Sequence, residues 1–405
     1  MRPGAVAAVA LAAALVGGVV SLLVADRTGL VDGGSTSTVV VRGNGVQPIE
    51  RLLPGNGAKP LVGNGFDPAA IYRSRSAGVV TVYAYFDQQP EDHPPAQGSG
   101  FVISKRGDIL TSSHVVTTAG SGERDADGAS RVYVGFADGD RVPAKLVGWD
   151  LFDDVAVLRV QAGAHPLQPV PLGDSSRVVV GRPVAAMGSP FGNENSLATG
   201  VVSATHRSID SLTSDYTVAD AIQTDAPITH GNSGGPLFDA RGRVIGINAQ
   251  IRSESGQTEG VGFAIPINAA RRSFEALARG EQVTYAYVGV TAQDLTPTIA
   301  RRLDYAVPRG AAVACVVPNG PGADAGLHGG KEKRELNGVE FRYGGDVVVA
   351  IGNNTIRDAD DLVRIVSEVL VPGQVARFTV LRDGRRLVVP VKLGERPKQS
   401  APRCR

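Results

Sequence analysis

The stretch Gly231-Asn232-Ser233-Gly234-Gly235-Pro236 sets a serine among glycines just ahead of two short apolar runs, Pro236 to Phe238 and Val244 to Ile247, separated by Arg241-Gly242. Glycines at such a place let backbone N–H groups turn inward as an oxyanion hole and let another backbone come close. A serine hydroxyl is a weak nucleophile at neutral pH. It needs an imidazole to take its proton and a buried carboxylate to fix the imidazole tautomer. Both partners stand upstream, in Thr111-Ser112-Ser113-His114-Val115 and in Asp153-Asp154-Val155-Ala156-Val157-Leu158. The order is therefore histidine, aspartate, serine. Gly231-x-Ser233-x-Gly235 also fits the nucleophile elbow of α/β-hydrolases, but that fold places its acid and histidine after the serine. The one downstream histidine is His328, and strand-helix alternation is absent, so an esterase is set aside.

Around these segments short apolar runs recur with turn signals between them: Val79 to Phe86, Phe101 to Ser104, Ile109 to Ser112, Arg131 to Phe136, Asp154 to Val160 and Thr199 to Ala204. Asp138-Gly139 between Val132 to Phe136 and Val142 to Val147 is a hairpin signal. Glycine supports the same reading, since 51 of 405 residues is about 13%, nearly twice the usual share. The class is mainly β, a barrel or sandwich. The stretch Asn268 to Ala278 reads as a closing helix ending at Gly280. A length of 405 residues implies more than one domain. From Tyr285 a smaller unit follows, with strands near Val288 to Thr291, Ala311 to Val317, Asp346 to Ile351, Ala376 to Leu381 and Arg386 to Val391. Its one good helix has Asp358 as N-cap, an apolar face of Leu362, Ile365, Val366 and Val369, and Pro372-Gly373 as its end.

Ala5 to Val24 are twenty consecutive uncharged residues, enough to span a bilayer. We read them as an uncleaved anchor, the other reading being a cleaved signal peptide. A Gly, Ser, Asn and Pro-rich tether follows to about Asp67. The basic residues Arg396, Lys398, Arg403 and Arg405 at the other end read as a solvated tail. Sequence alone does not say whether Cys315 and Cys404 pair. Lysine and arginine outnumber aspartate and glutamate by one, 41 against 40, so no positive field is available for a polyanion and nucleic acid is not an expected partner.

The three chemical segments resemble the HtrA (Deg) family of chymotrypsin-like serine proteases. The likeness extends over about residues 69 to 394, through Gly98-Ser99-Gly100-Phe101-Val102-Ile103, Leu172-Gly173-Asp174-Ser175, Met187-Gly188-Ser189-Pro190-Phe191-Gly192, Thr224-Asp225-Ala226 and Gly262-Phe263-Ala264-Ile265-Pro266. It implies a double β-barrel followed by a PDZ-like β/α domain. The expected division is 1-25 anchor, 26-68 linker, 69-281 protease, 282-394 PDZ and 395-405 tail. It implies a triad of His114, Asp154 and Ser233, with Asp154 chosen over Asp153 because the family's acid directly precedes the apolar strand. The oxyanion loop is Gly231, Asn232 and Ser233, with the amides of Gly231 and Ser233 as donors. The substrate pocket involves Pro227, Ile228, Gly262 and Phe263. Trypsin-like enzymes carry aspartate where Pro227 stands, so cleavage after Arg or Lys is disfavoured and a small apolar pocket is expected. His230 is taken as a plain loop residue. In the small domain Tyr287, Val288, Gly289 and Val290 resemble the family's carboxylate-binding loop, and Leu362, Ile365 and Val366 would line the peptide groove.

The resemblance further implies an endopeptidase of misfolded or regulatory proteins on the extracytoplasmic side of the cell membrane, held by a single N-terminal span and assembled as a homotrimer. It requires no metal and no cofactor. The alternative from another class is a non-proteolytic chaperone or PDZ scaffold with an inactive protease domain. One departure from the family pattern is an insertion at about His328 to Gly345, expected to form a hairpin that shades the groove.

Overall fold

The computed structural model describes residues 65–87, 94–121, 126–189, 195–229, 231–249, 261–336 and 338–398. The apolar segment 5–24, nearly all of the tether, His230 and Cys404 lie outside them. Among the described residues no helix is long and apolar enough to cross a membrane.

A short helix α1 (Pro68–Arg75) opens the fold; Asp67 caps it by accepting from the Ala70 N–H, and proline starts it where a missing N–H costs nothing. Six strands then close a first barrel: β1 (Val79–Tyr85), β2 (Ala96–Val102), β3 (Asp108–Thr111), β4 (Arg131–Gly135), β5 (Arg141–Asp150) and β6 (Val155–Val160), in the order β1-β2-β3-β6-β5-β4. A one-turn helix α2 (Ser113–Val116) follows β3. The second barrel comprises β7 (Pro183–Gly188), β8 (Ser196–Asp210), β9 (Thr217–Thr224), β10 (Pro236–Asp239), β11 (Val244–Ala249) and β12 (Gly262–Pro266), ordered β10-β11-β12-β9-β8-β7. Asp138-Gly139 and Arg241-Gly242 both turn hairpins, with Gly139 and Gly242 at positive φ. Helix α3 (Ile267–Ala278) closes the second barrel. Its Ile267, Ala270 and Leu277 join Phe101, Leu110 and Val157 of the first barrel and Met187, Phe238 and Ile265 of the second in one apolar cluster between them. Burial of that seam fixes the barrels against each other, and catalytic groups from each can meet only because of it.

The second unit carries β13 (Ala286–Tyr287), β14 (Val290–Leu295), α4 (Pro297–Arg302), β15 (Gly310–Val316), α5 (Pro321–Asp324), β16 (Glu332–Leu336), β17 (Val339–Tyr343), β18 (Val347–Ile351), β19 (Asn354–Thr355), α6 (Ala359–Arg364), β20 (Val375–Arg382), β21 (Arg385–Lys392) and β22 (Gly394–Glu395). The main sheet runs β14-β15-β18-β20-β21, which leaves β14 at an edge. The 328–345 insertion is the hairpin β16-β17. Asp358 caps α6 as expected, accepting from the Asp361 N–H at 2.8 Å.

Two expectations need correction here. Val369 is 52% exposed, because α6 widens into a π turn over Ile365–Val369 and the wider turn carries Val369 off the apolar face that α-helical spacing assigns it. Arg396 is not a solvated tail residue. Its guanidinium lies 5.3, 5.2 and 5.1 Å from the ring centroids of Phe152, Tyr216 and Tyr285 and donates to Ser367 Oγ. Ring faces and a hydroxyl together replace the water it gives up.

Candidate active site and peptide groove

The first barrel supplies a histidine and an aspartate, and the β3-β6 register explains why they meet. Thr111 pairs with Ala156, so the residue just before β6 lies beside the turn just after β3. That residue is Asp154, in the left-handed region at φ 52°. Its Oδ2 lies 2.7 Å from His114 Nδ1, and its Oδ1 accepts from the His114 N–H at 2.9 Å and from Ser113 Oγ at 2.8 Å. Three bonds fix the carboxylate, and the carboxylate fixes the tautomer that leaves Nε2 free to take a proton. Asp153 turns the other way and accepts from Arg272 on α3 at 3.0 Å. Burial of His114 disfavours its charged form, but the adjacent Asp154 carboxylate outweighs this and holds the imidazole above its ordinary range.

Ser233 comes from the turn between β9 and β10 and is 3% exposed. The turn is tied across the seam by the Ser99 N–H donating to the Ser233 carbonyl at 2.8 Å and by Ser99 Oγ donating to the Gly231 carbonyl. Gly234 has φ 84°, and a Cβ there would stand 2.2 Å from the Ser99 carbonyl oxygen, so glycine is required on both counts. Ser233 Oγ is buried with no hydrogen-bond partner. The Asn232 N–H donates to the Thr229 carbonyl at 3.0 Å, so its amide is engaged within the loop. Its side chain reaches the Pro227 carbonyl at 3.5 Å. Ile228 is buried, Phe263 half-buried and Pro227 exposed. A Cβ on Gly262 would lie 2.9 Å from Ile228 Cδ1, so the Ile228 side chain, from the loop after β9, lies close over Gly262 at the start of β12. Ser113 and Ser99 were not legible as site residues, since serines beside glycine and histidine carry no distinguishing pattern.

In the second unit a cavity of about 670 Å³ runs along the free edge of β14 and against α6. Tyr287, Val288, Gly289, Val290, Leu362 and Val366 line it; Val363, absent from the sequence reading, does so too. Ile365 does not, and is corrected to a core residue, 3% exposed among Val313, Phe378 and Val391. The carbonyls of Val288 and Gly289 accept from the Gly322 and Val317 N–H groups, which holds the loop. Lys333, Glu340 and Arg342 of the β16-β17 hairpin stand on the cavity wall, as do Ser208, Tyr216 and Thr217 of the second barrel. An unpaired strand edge beside an apolar helix face is suited to adding a peptide strand.

Comparison with known proteins gives the same two parts. A trypsin-like peptidase domain profile matches residues 98–247 and a PDZ domain profile residues 286–393. The chain is 37% identical over 307 residues to "Protease Do-like 1, chloroplastic" of Arabidopsis thaliana, covering 76% of this chain and 65% of that one. It is 38% identical over 306 residues to "Probable periplasmic serine endoprotease DegP-like" of Brucella suis, covering 76% and 54%. It thus spans less than two thirds of the length of these curated relatives. Among solved structures, the HtrA-type protease AlgW with a tripeptide is 33% identical with a TM-score of 0.64, covering 82% of this chain and 98% of that one. The same protease with a decapeptide is 31% identical with a TM-score of 0.60, covering 82% and 99%.

Proposed function

Since the chain belongs to the HtrA family of serine proteases, we propose that it is an endopeptidase working through His114, Asp154 and Ser233. The observation that carries this reading is the His114 to Asp154 contact of 2.7 Å, together with a serine on a glycine turn of the opposite barrel that Ser99 ties to the first. Ser233 Oγ attacks the scissile carbonyl while His114 Nε2 takes its proton. Asp154 stabilises the imidazolium, and the proton passes on to the leaving amine. The N–H groups of Gly231 and Ser233 receive the oxyanion. The unpartnered hydroxyl of Ser233 fits a resting triad that tightens when substrate arrives.

No carboxylate stands at Pro227, and Ile228 against Gly262 leaves a small apolar pocket, so cleavage follows small apolar residues in preference to Arg or Lys. The groove along β14 takes C-terminal peptides by strand addition, with their carboxylate on the loop from Tyr287 to Val290. Residues 69-281 act as the protease and 282-394 as the PDZ domain. The substrates are misfolded or regulatory proteins of the cell envelope. The periplasmic relatives support that location, and the uncharged length of residues 5–24 supports a single N-terminal span. A homotrimer is the assembly we assign.

A fluorophosphonate probe tests the site directly: it should label Ser233 in the full chain, located by peptide mass spectrometry, and leave Ser233→Ala unlabelled. A full chain that takes no label and cuts nothing, yet binds unfolded protein, would instead support the non-proteolytic scaffold.

A further inference from the structure

Asp150, at the end of β5, is buried and belongs to none of the sites above. One carboxylate oxygen accepts from the Phe152 N–H at 3.0 Å and the Asp153 N–H at 3.4 Å. The other accepts from Ser273 Oγ on α3 at 2.7 Å and from the Tyr285 hydroxyl at 2.5 Å. The first pair of bonds holds the turn that ends at Asp154, which has left-handed backbone. The second pair ties that turn to two other parts of the fold.

Tyr285 belongs to the segment that leads into the peptide-binding unit, and its hold on that unit is double. Its carbonyl accepts from the Arg396 N–H at 2.8 Å, and its ring lies under the Arg396 guanidinium. Arg396 in turn donates to Ser367, on the π turn that continues α6. The Tyr285 ring also meets Phe152 edge-on at 5.2 Å. A continuous path of hydrogen bonds and ring contacts therefore runs from the helix that walls the groove to the turn that presents the triad acid.

We propose that Tyr285 is a positioning residue for Asp154, acting through Asp150. The inference rests on the protease reading above. Burial of Asp150 and the charge of Asp153 raise its carboxyl to about 6, while the bonds from Tyr285, Ser273 and Phe152 pull the other way. Arg272 from α3 and Arg396 from the second unit are the cations nearby, and Glu368 interacts electrostatically with Asp220, Arg272 and Asp153. Only the ionised form of Asp150 accepts all four bonds. Deleting the Tyr285 hydroxyl removes one stabiliser of that form, so the turn loosens at a higher pH than in the parent.

The test uses the full chain and its variants Tyr285→Phe, Asp150→Asn and Tyr285→Phe/Asp150→Asn, with Ser233→Ala as the inert control. Tyr285→Phe keeps the ring and its cation contact. The expected result is a kcat about ten-fold lower with KM unchanged, since a bond to a charged acceptor contributes on that order. The acidic limb of kcat/KM should move to higher pH, and the double variant should lose no more than Asp150→Asn alone. A cutting parent whose Tyr285→Phe variant shows the same kcat and the same pH limb, with only a lower unfolding temperature, overturns the proposal and leaves the protease reading standing. A parent as inert as Ser233→Ala overturns both.

Discussion

Asp154 accepts three hydrogen bonds around one imidazole, and the account assigns it the orienting role. Asp154→Asn should therefore lower kcat by about 10⁴-fold with little change in KM, because the amide favours the wrong tautomer. Equal rates in variant and parent, measured on one peptide, would remove Asp154 from the triad. The same carboxylate holds His114 above its ordinary range of 6.5. His114 works as a base only when neutral, so activity should fall on the acid side with a midpoint above 6.5; a rate profile with its midpoint below that value contradicts the assignment. Gly234→Ala places a Cβ 2.2 Å from the Ser99 oxygen at positive φ and should cost about 2 kcal/mol or more of stability along with the activity, as read by urea unfolding and by probe labelling. The nucleophile, base and acid were legible in sequence because each is demanded by residue type and by order along the chain. Asp150 was not, because a four-fold acceptor is a property of hydrogen-bond geometry that the same letter could lack.

Strands legible as short apolar runs came through well. Strands β1 to β6 and the hairpins at Asp138-Gly139 and Arg241-Gly242 follow from those runs and the turn residues between them, since strands in the barrel wall and seam are buried along most of their length, as β3 and β6 are, and turn chemistry is local. Helical spacing served less well for α6. Leu362 and Val366 reach the groove while Ile365 enters the core, a division that depends on the π turn and has no signature in the spacing. In the same unit Asp346 is fully buried and accepts from Arg382 at 2.7 Å through two nitrogens. Arg382→Ala leaves that carboxylate without its counter-ion and should destabilise the peptide-binding unit by about 3 kcal/mol. Urea unfolding followed through that unit would check it, and an unchanged midpoint would mean that the pair is dispensable. The hairpin β16-β17 puts Lys333, Glu340 and Arg342 on the groove wall. Replacing 332–343 by a short turn should change peptide affinity several-fold, measured by fluorescence anisotropy, and identical affinities would show that the hairpin does not touch the ligand.

At the scale of the molecule, two barrels share an apolar seam, and a peptide-binding unit packs on the second barrel through Arg396, Tyr216 and Tyr285. The family match explains the division of labour between the units, and the seam explains why Ser99 can hold Ser233 in place. Sequence reading missed the inter-unit cage because a basic stretch near a chain end has the composition of a solvated tail, and only the three rings around Arg396 reveal otherwise. The central claim is that this assembly cuts polypeptides with Ser233. The most direct measurement is the digestion of reduced, unfolded casein by the full chain beside its Ser233→Ala variant, followed by mass spectrometry of the fragment ends. The account predicts cutting by the parent alone, with small apolar residues preceding the cut bonds. Digestion by both proteins, or by neither when C-terminal peptides are supplied and casein still binds, would contradict it.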